Sequence, residues 1–269
     1  MTAISVIILT KDEESLIGRC IDSVCWADEV LVVDSGSSDR TIEVARSHGA
    51  TVLEQPWLGW PRQRNTAAAA AKHDWVFFVE ADEVVSPALA TSVRATFAGR
   101  PDPRDGFHLD RRDDFLGVML PNQSNRVRRR AFVRIYNRRC SRYDPTMRVH
   151  EEVQLDGVSR PLHGRLLHCR GSSMDELVST LNRYATTEAA ALSDHGVRSS
   201  WLHIVGRPLL RFGWCYLVKG GFRLGTRGVA HAMLRAFSEF VRFVKLWELQ
   251  HDADDRGLEP TVTLAKDRT

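Results

Sequence analysis

The five cysteines of this sequence form no C-x-x-C pair, show no metal-ligand spacing and are odd in number. A disulfide framework and a zinc ribbon are therefore excluded, and a reducing, cytoplasmic setting is expected. No G-x-G-x-x-G and no G-x-x-x-x-G-K-[ST] occurs, which removes the backbone cradles that hold dinucleotides and ATP. There is no uncharged run long enough to span a bilayer, and the chain enters an apolar strand at once, without a basic n-region or a signal-peptide core. Any membrane contact is expected to be superficial. Internal repeats and low-complexity tracts are absent, and the formal net charge is only +3. A globally basic protein is thus ruled out. The charge is uneven, however: nine arginines between Arg126 and Arg148 have Asp144 almost alone among them, which points to a local anionic partner.

What is present is a core's worth of apolar sequence, 43% of 269 residues, in a clear order. Trp75-Val76-Phe77-Phe78-Val79 is a run of large apolar residues that ends in Glu80-Ala81-Asp82-Glu83. Such a run reads as a strand buried on both faces of a helix-covered parallel sheet, which places the acids at its carboxyl edge, where open α/β sheets bind ligands. If the backbone stays extended, Glu80 and Asp82 project to the same side and can share one Mg²⁺ or Mn²⁺, although acids after a strand also serve merely to cap the next helix. Ser5–Leu9 is a further strand, and Thr10-x-x-Glu13 reads as a capping box opening a helix. Glu29–Val33 ends at Asp34, Ser35 to Asp39 form a polar turn, and Thr41 to His48 make a helix stopped by Gly49. Thr51–Leu53 is the next strand, followed by the alanine-rich helix Gln63–Ala71. Ser86-Pro87 begins another helix that runs to about Ala98. Strands alternating with helices mean a parallel, doubly wound sheet. Thr10, Glu13, Asp34, Ser35, Ser37 and Asp39 then lie at its carboxyl edge, with Asp34 able to accept from ribose hydroxyls or a base N–H.

After Arg100-Pro101-Asp102-Pro103 the pattern becomes one of shorter strands at Gly106–Leu109, Phe132–Tyr136, Glu152–Leu155 and Leu162–His168, a mixed half, with Arg111–Arg130 as a polar loop. Ser173-x-x-Glu176 is a second capping box that opens a helix to about Ser193. Trp201–Leu249 carries a wide apolar, aromatic face with a basic polar side. That pattern suits helices lying in a membrane interface, helices covering the sheet, or a dimer contact. For the arginine-rich stretch three readings stand: a solvated face, a clamp for acceptor phosphates, or a nucleic-acid surface. The last is disfavoured by the few stacking aromatics and the absence of any nucleic-acid-binding motif.

Ser5–Glu14 (SVIILTKDEE), Trp26–Ser35 (WADEVLVVDS), Asp39-Arg40-Thr41 and Glu80–Glu83 (EADE), in that order, resemble the family 2 glycosyltransferases of the GT-A fold, in particular the lipopolysaccharide-core glucosyltransferase branch. Arg134–Arg138 (RIYNR), Val149-His150-Glu151, Leu181–Tyr184 (LNRY) and Lys245–Glu248 (KLWE) extend the likeness to about residue 249. The resemblance implies a Rossmann-like, mostly parallel sheet, a nucleotide-diphosphate sugar donor, a divalent cation and transfer with inversion. Thr10, Glu13 and Asp34 would hold the nucleoside, with Ser35, Ser37 and Glu80 beside it, and Asp82 would be the surest metal contact. Inversion needs a base for the acceptor hydroxyl. Glu151 is expected in that role, with His150 orienting it or touching the diphosphate, and Arg134 and Arg138 meeting the acceptor or its phosphates. The chain departs from the family in having Glu80 where the first acid is usually Asp.

The expected division is 1–170 for the catalytic domain (1–105 nucleotide-sugar half, 106–170 acceptor half), 171–250 for a helical, membrane-associated extension and 251–269 for a loose tail. The expected activity is transfer of glucose from a uridine diphosphate donor to a cell-envelope glycan or lipid-linked sugar such as lipopolysaccharide core, at the inner face of the cytoplasmic membrane. Alternatives are another donor or a polyprenyl-phosphate acceptor on the same fold, and a non-catalytic nucleotide-sugar-binding scaffold.

Overall fold

The computed structural model describes residues 2–121, 132–145 and 152–255. The chain divides into two compact units, Met1–Gly171 and Ser172–Thr269. In the first, β1 (Ile4–Thr10), β2 (Glu29–Asp34), β3 (Thr51–Glu54) and β4 (Trp75–Glu80) lie parallel in the order β3-β2-β1-β4. The helices between and after them are α1 (Ile17–Asp22), α2 (Thr41–Ser47), α3 (Trp60–Ala70) and α4 (Pro87–Ala98). Alternation along the strands fixes the layering. Ile4, Val6 and Ile8 of β1, with Trp75, Phe77 and Val79 of β4, pack on α1, α2 and α4 residues such as Ile21, Ala45 and Val93. Their neighbours Ile7, Val76 and Phe78 face Ala67 and Ala68 of α3 on the other side. Both faces are covered, which is why these strands are apolar throughout.

Beyond β4 the sheet continues through β8 (Val133–Asn137), β6 (Gly106–Phe115), β11 (Ser159–His168) and β5 (Glu83–Val85), with β7 (Val118–Met119) on β6 and a separate pair, β9 (Arg142–Tyr143) with β10 (Val153–Gln154). β8 is antiparallel to β4 and to β6, and β11 is parallel to β6. The carboxyl ends of β1, β2, β4, β6 and β11 therefore share one edge. This is the mixed α/β architecture expected, with a mostly parallel central sheet.

Two local expectations fail. Thr10-x-x-Glu13 is no capping box: Thr10 ends β1, and α1 begins at Ile17 with no side-chain cap at Leu16. The intervening loop is tied instead to the β2–α2 loop, through Glu13 N–H to Thr41 Oγ1 at 2.8 Å and Asp12 N–H to Ser37 Oγ at 2.8 Å. Arg111 to Phe115 are strand rather than polar loop, because their charges are paired: Arg112 meets Asp110 at 3.1 Å, and Arg111 meets Asp113 at 3.0 Å. Paired charges let a polar segment join a sheet that isolated ones would break.

The second unit is helical. α5 (Met174–Asp194) opens with the expected capping box of Ser173 and Glu176. A π-helical turn at Leu202–Gly206, α6 (Arg207–Gly213) and another π-helical turn at Trp214–Val218 follow, then a short turn at Gly221–Leu224 and α7 (Thr226–Asp255). Among the described residues no helix is long and apolar enough to cross a membrane.

Candidate functional site

Register brings the first candidates together. Thr10 sits beside Asp34 in the β1–β2 pair, and Leu9 sits beside Glu80 in the β1–β4 pair. The Asp34 carboxylate is buried and accepts from the N–H groups of Gly36 and Ser37, both at 2.9 Å, and from the Ser37 hydroxyl. Its charge organises the polar turn, a local hydrogen-bonding pattern typical of Asp after a strand. Ser35 donates its N–H to the Thr10 carbonyl and accepts from Gln63 of α3 at 3.3 Å. Thr10 Oγ1 is buried with no hydrogen-bond partner, an orphan that calls for a ligand, since an unsatisfied hydroxyl costs about 1–3 kcal/mol. Burial pushes the Glu13 carboxyl above its ordinary pKa, and the neighbouring negative charge of Asp82 adds to the rise.

Asp82 arrives differently from expectation. β4 stops at Glu80, and Ala81-Asp82 form a turn before β5, so the two acids are not brought together by strand alternation. The turn is pinned by Cys169 N–H to the Asp82 carbonyl at 2.8 Å. Even so, donor atoms of Glu80, Asp82 and His168 lie within 4.8 Å of one another. His168 ends β11, with Asp113 beside it in register on β6. Its Nε2 faces Asp82 Oδ2 at 3.0 Å, and its Nδ1 faces Asp113 Oδ1 at 3.2 Å. Burial alone would lower the imidazole's pKa, but hydrogen bonds to Asp113 and Asp82 outweigh it and hold the ring up at about 10. Arg170 approaches Asp82 at 3.9 Å.

The residues fit a divalent cation. Two carboxylates and an imidazole are a donor set for Mg²⁺, Mn²⁺ or a related ion. An imidazole whose Nδ1 is held by a carboxylate while Nε2 faces the site also has the arrangement of a ligating histidine. A cation on Nε2 would have to displace its proton.

Glu80 is less free than Asp82. Burial would raise its pKa, but Arg134 at 3.0 Å and Arg64 at 3.5 Å draw it down to about 2. Behind it Glu83, fully buried, accepts from Glu80 N–H at 2.9 Å and from Arg134 at 3.1 Å. Burial raises the Glu83 pKa against the pull of Arg134. Arg64 lies over the rings of Phe78 and Tyr143 at 5.5 and 5.4 Å.

Arg134 and Arg138, expected to meet the acceptor or its phosphates, both engage protein partners. Arg134 is buried, 4% exposed, and engages Glu80 and Glu83. Arg138 follows β8, whose Asn137 pairs with Trp75 at the start of β4, so it stands at the opposite edge of the sheet. There it donates to the carbonyls of Ala68 and Ala69 at 2.7 and 2.8 Å, closing the end of α3. Glu151 and His150, the expected base and its partner, lie outside the described residues. His168, Asp113 and Arg64 escaped the sequence reading, which took Glu83 only as one of the edge acids. A signal existed for one: His168 ends a strand, as Glu80 does, but only the strand order shows that both ends meet.

Side chains able to hold a cation, beside a buried hydrogen-bonded turn at the carboxyl edge of a mostly parallel sheet, suit a nucleotide-sugar transferase. The model of glycosyl transferase family 2 matches residues 5–138. An uncharacterised glycosyltransferase of Rickettsia bellii is 31% identical over 91% of this chain and 86% of its own. The lipopolysaccharide core biosynthesis glycosyltransferase LpsC of Rhizobium meliloti is 30% identical over 91% of this chain and 92% of its own. Among solved structures, S. aureus TarS 1-349 in complex with UDP is 14% identical, with 94% of this chain and 92% of that one covered and a TM-score of 0.46. The chain belongs to glycosyl transferase family 2, and it is a glycosyltransferase with a GT-A fold.

Proposed function

We propose that the protein is an inverting, metal-dependent hexosyltransferase. In this reading it moves glucose from a uridine diphosphate donor to a cell-envelope glycan or lipid-linked acceptor such as lipopolysaccharide core, at the inner face of the cytoplasmic membrane. The observation that carries the reading is the meeting of Asp82, His168 and Glu80 within 4.8 Å at the edge where Thr10 and Asp34 stand side by side. The name of the Rhizobium relative supports the acceptor class. Asp82 and His168 would hold Mg²⁺ or Mn²⁺, which when bound neutralises charge on the departing diphosphate. Thr10 Oγ1 supplies an unspent hydroxyl for the nucleoside, and Glu13, Asp34, Ser35 and Ser37 shape the turn around it. Asp113 fixes the imidazole. Glu151, assisted by His150, takes the acceptor hydroxyl's proton on the face away from the diphosphate, because a single displacement with inversion needs its base there.

The test is release of UDP from UDP-glucose by the full chain with Mn²⁺ or with chelator, alongside Asp82→Ala. Metal-dependent turnover lost in the variant supports the reading. The absence of metal-dependent turnover in both proteins, with UDP-glucose still bound, would make the protein a scaffold.

A further inference from the structure

In the second unit the usual distribution of side chains is reversed. Among the described residues only two large apolar side chains, Phe243 and Leu246, are buried, and they pack with Ala189. Outside stand Trp201 at 72% exposure, Leu209 at 68% and Leu210 at 75%, followed by Trp214, Leu217 and Val218. On α7, Val229, Met233, Phe237, Phe240 and Trp247 are all exposed, and their spacings of three, four and seven put them on one stripe of the helix. Glu239 and Arg242 of α7, by contrast, turn inward. Glu239 is 7% exposed and is met by Arg207 at 3.8 Å and Arg211 at 3.6 Å, and also by Arg242, which in turn meets Glu188 at 3.1 Å. The polar stripe of α7 is thus spent on neighbouring helices, and its apolar stripe is left without cover. An apolar surface of this extent on a water-soluble protein marks an interaction site.

Charge selects the occupant. Between Asp194 and Glu239 the chain has no acidic residue and seven Lys or Arg, among them the exposed Arg223 and Arg227. Two copies meeting symmetrically through this face would set cation against cation. An anionic lipid surface offers hydrocarbon for the Trp and Leu side chains and phosphates for the arginines at the same level. No described helix suffices to cross.

We propose that residues 201–250 form an interfacial anchor for anionic phospholipid, with the exposed stripe of α7 and the segment Leu202–Val218 seated among the headgroups and first acyl carbons. Trp201, Trp214 and Trp247 mark the depth, and Lys219, Arg223 and Arg227 take the lipid phosphates. The anchor supplies the partner for the location proposed above and rests on that reading only for the choice of leaflet.

Co-sedimentation of the full chain with vesicles tests it, comparing phosphatidylcholine alone with a two-to-one mixture of phosphatidylcholine and phosphatidylglycerol. Binding should require phosphatidylglycerol and weaken with salt. Arg223→Gln with Arg227→Gln should reduce partitioning to the mixed vesicles by about fivefold for each charge removed, and Leu210→Ser with Phe237→Ser should reduce it there too. Equal binding to neutral vesicles, or variants that bind as the parent does, would overturn the assignment. So would a chain that ignores all vesicles and sediments in solution as a dimer that Leu210→Ser dissociates. Failure of the transferase reading looks different: a chain that pellets with anionic vesicles and lacks metal-dependent release of UDP leaves the anchor standing.

Discussion

Replacing Arg134 by methionine removes a buried guanidinium while keeping most of its volume, so the loss should be electrostatic. Arg134 is 4% exposed and holds Glu80 at 3.0 Å and Glu83 at 3.1 Å. Without it, among the described residues, Glu83 keeps Arg111 at 3.7 Å as its counter-charge, and Glu80 keeps Arg64 at 3.5 Å. Breaking a buried pair costs about 3–5 kcal/mol. A second route gives a ceiling, because Glu83 can escape by taking a proton. Its ordinary value is 4.5, and burial already raises it. Holding such a group neutral at pH 7 costs roughly 1.36 kcal/mol for each unit between 4.5 and 7, or about 3.4 kcal/mol. The expected loss at pH 7 is therefore about 3 kcal/mol, and at pH 5 the same escape costs below about 1 kcal/mol. The sign follows from proton counting: a folded state with a raised carboxyl pKa binds more protons than the unfolded chain above pH 4.5, so its stability falls as pH rises through that window. Denaturant unfolding of both proteins in chelator, at pH 5 and at pH 7, measures the difference. Adding Glu83→Gln should restore most of the loss at pH 7. A deficit below about 1 kcal/mol at pH 7, or one equal at both pH values, would refute the account of Arg134 as the counter-charge of this cluster.

Asp82→Asn should abolish the rise in melting temperature caused by Mn²⁺ with UDP, an effect worth about 2.7 kcal/mol in the parent at a hundred times the dissociation constant; equal stabilisation in both would remove Asp82 from the cation site. Thr10→Val replaces an unpaired buried hydroxyl by a methyl group, so the free protein should be unchanged or more stable by up to about 1 kcal/mol, while UDP titrated calorimetrically should bind more weakly. Asp34→Ala strands the N–H groups of Gly36 and Ser37 and should cost about 1–3 kcal/mol in thermal or chemical unfolding. Ser173→Ala removes one half of the α5 capping box and should cost about 1 kcal/mol, readable by helical circular dichroism on heating.

The parallel half was legible because both faces of its strands are buried, so Ser5–Leu9 and Trp75–Val79 read as strands whose ends fix the edge. The carboxylates were legible for the same reason. The geometry between strand ends was not. His168 and Asp113 are neighbours only because β11 lies beside β6, a pairing set by tertiary packing of residues fifty-five positions apart. Thr10 and Glu13 matched a capping box in spacing, but the backbone N–H of Glu13 found Thr41 across the loops, and no local pattern announces that competitor. Arg134 carried a charge between the apolar residues Val133 and Ile135 of β8, which sequence logic assigns to the surface or to a ligand. Burial beside two glutamates, 0 and 32% exposed in their side chains, reverses that logic. The polar stripe of α7 misled in the same way: Glu239 and Arg242 share a helix side that faces α6 and α5 instead of water.

The same cluster accounts for the glutamate where the family usually carries aspartate. The Glu80 carboxylate ends 3.0 Å from Arg134 and 3.5 Å from Arg64. Shortening it by one methylene withdraws the oxygens by about 1.5 Å, beyond ion-pair distance of both guanidiniums. Arg134 is fixed by Glu83 and cannot follow, since Glu83 itself is locked by the Glu80 N–H at 2.9 Å. The longer acid thus closes a ring in which Glu80 neutralises the arginines that Glu83 alone leaves half answered. Its charge is then committed below the turn, and a cation at this edge would fall to Asp82 and to His168, whose Nδ1 is held by Asp113.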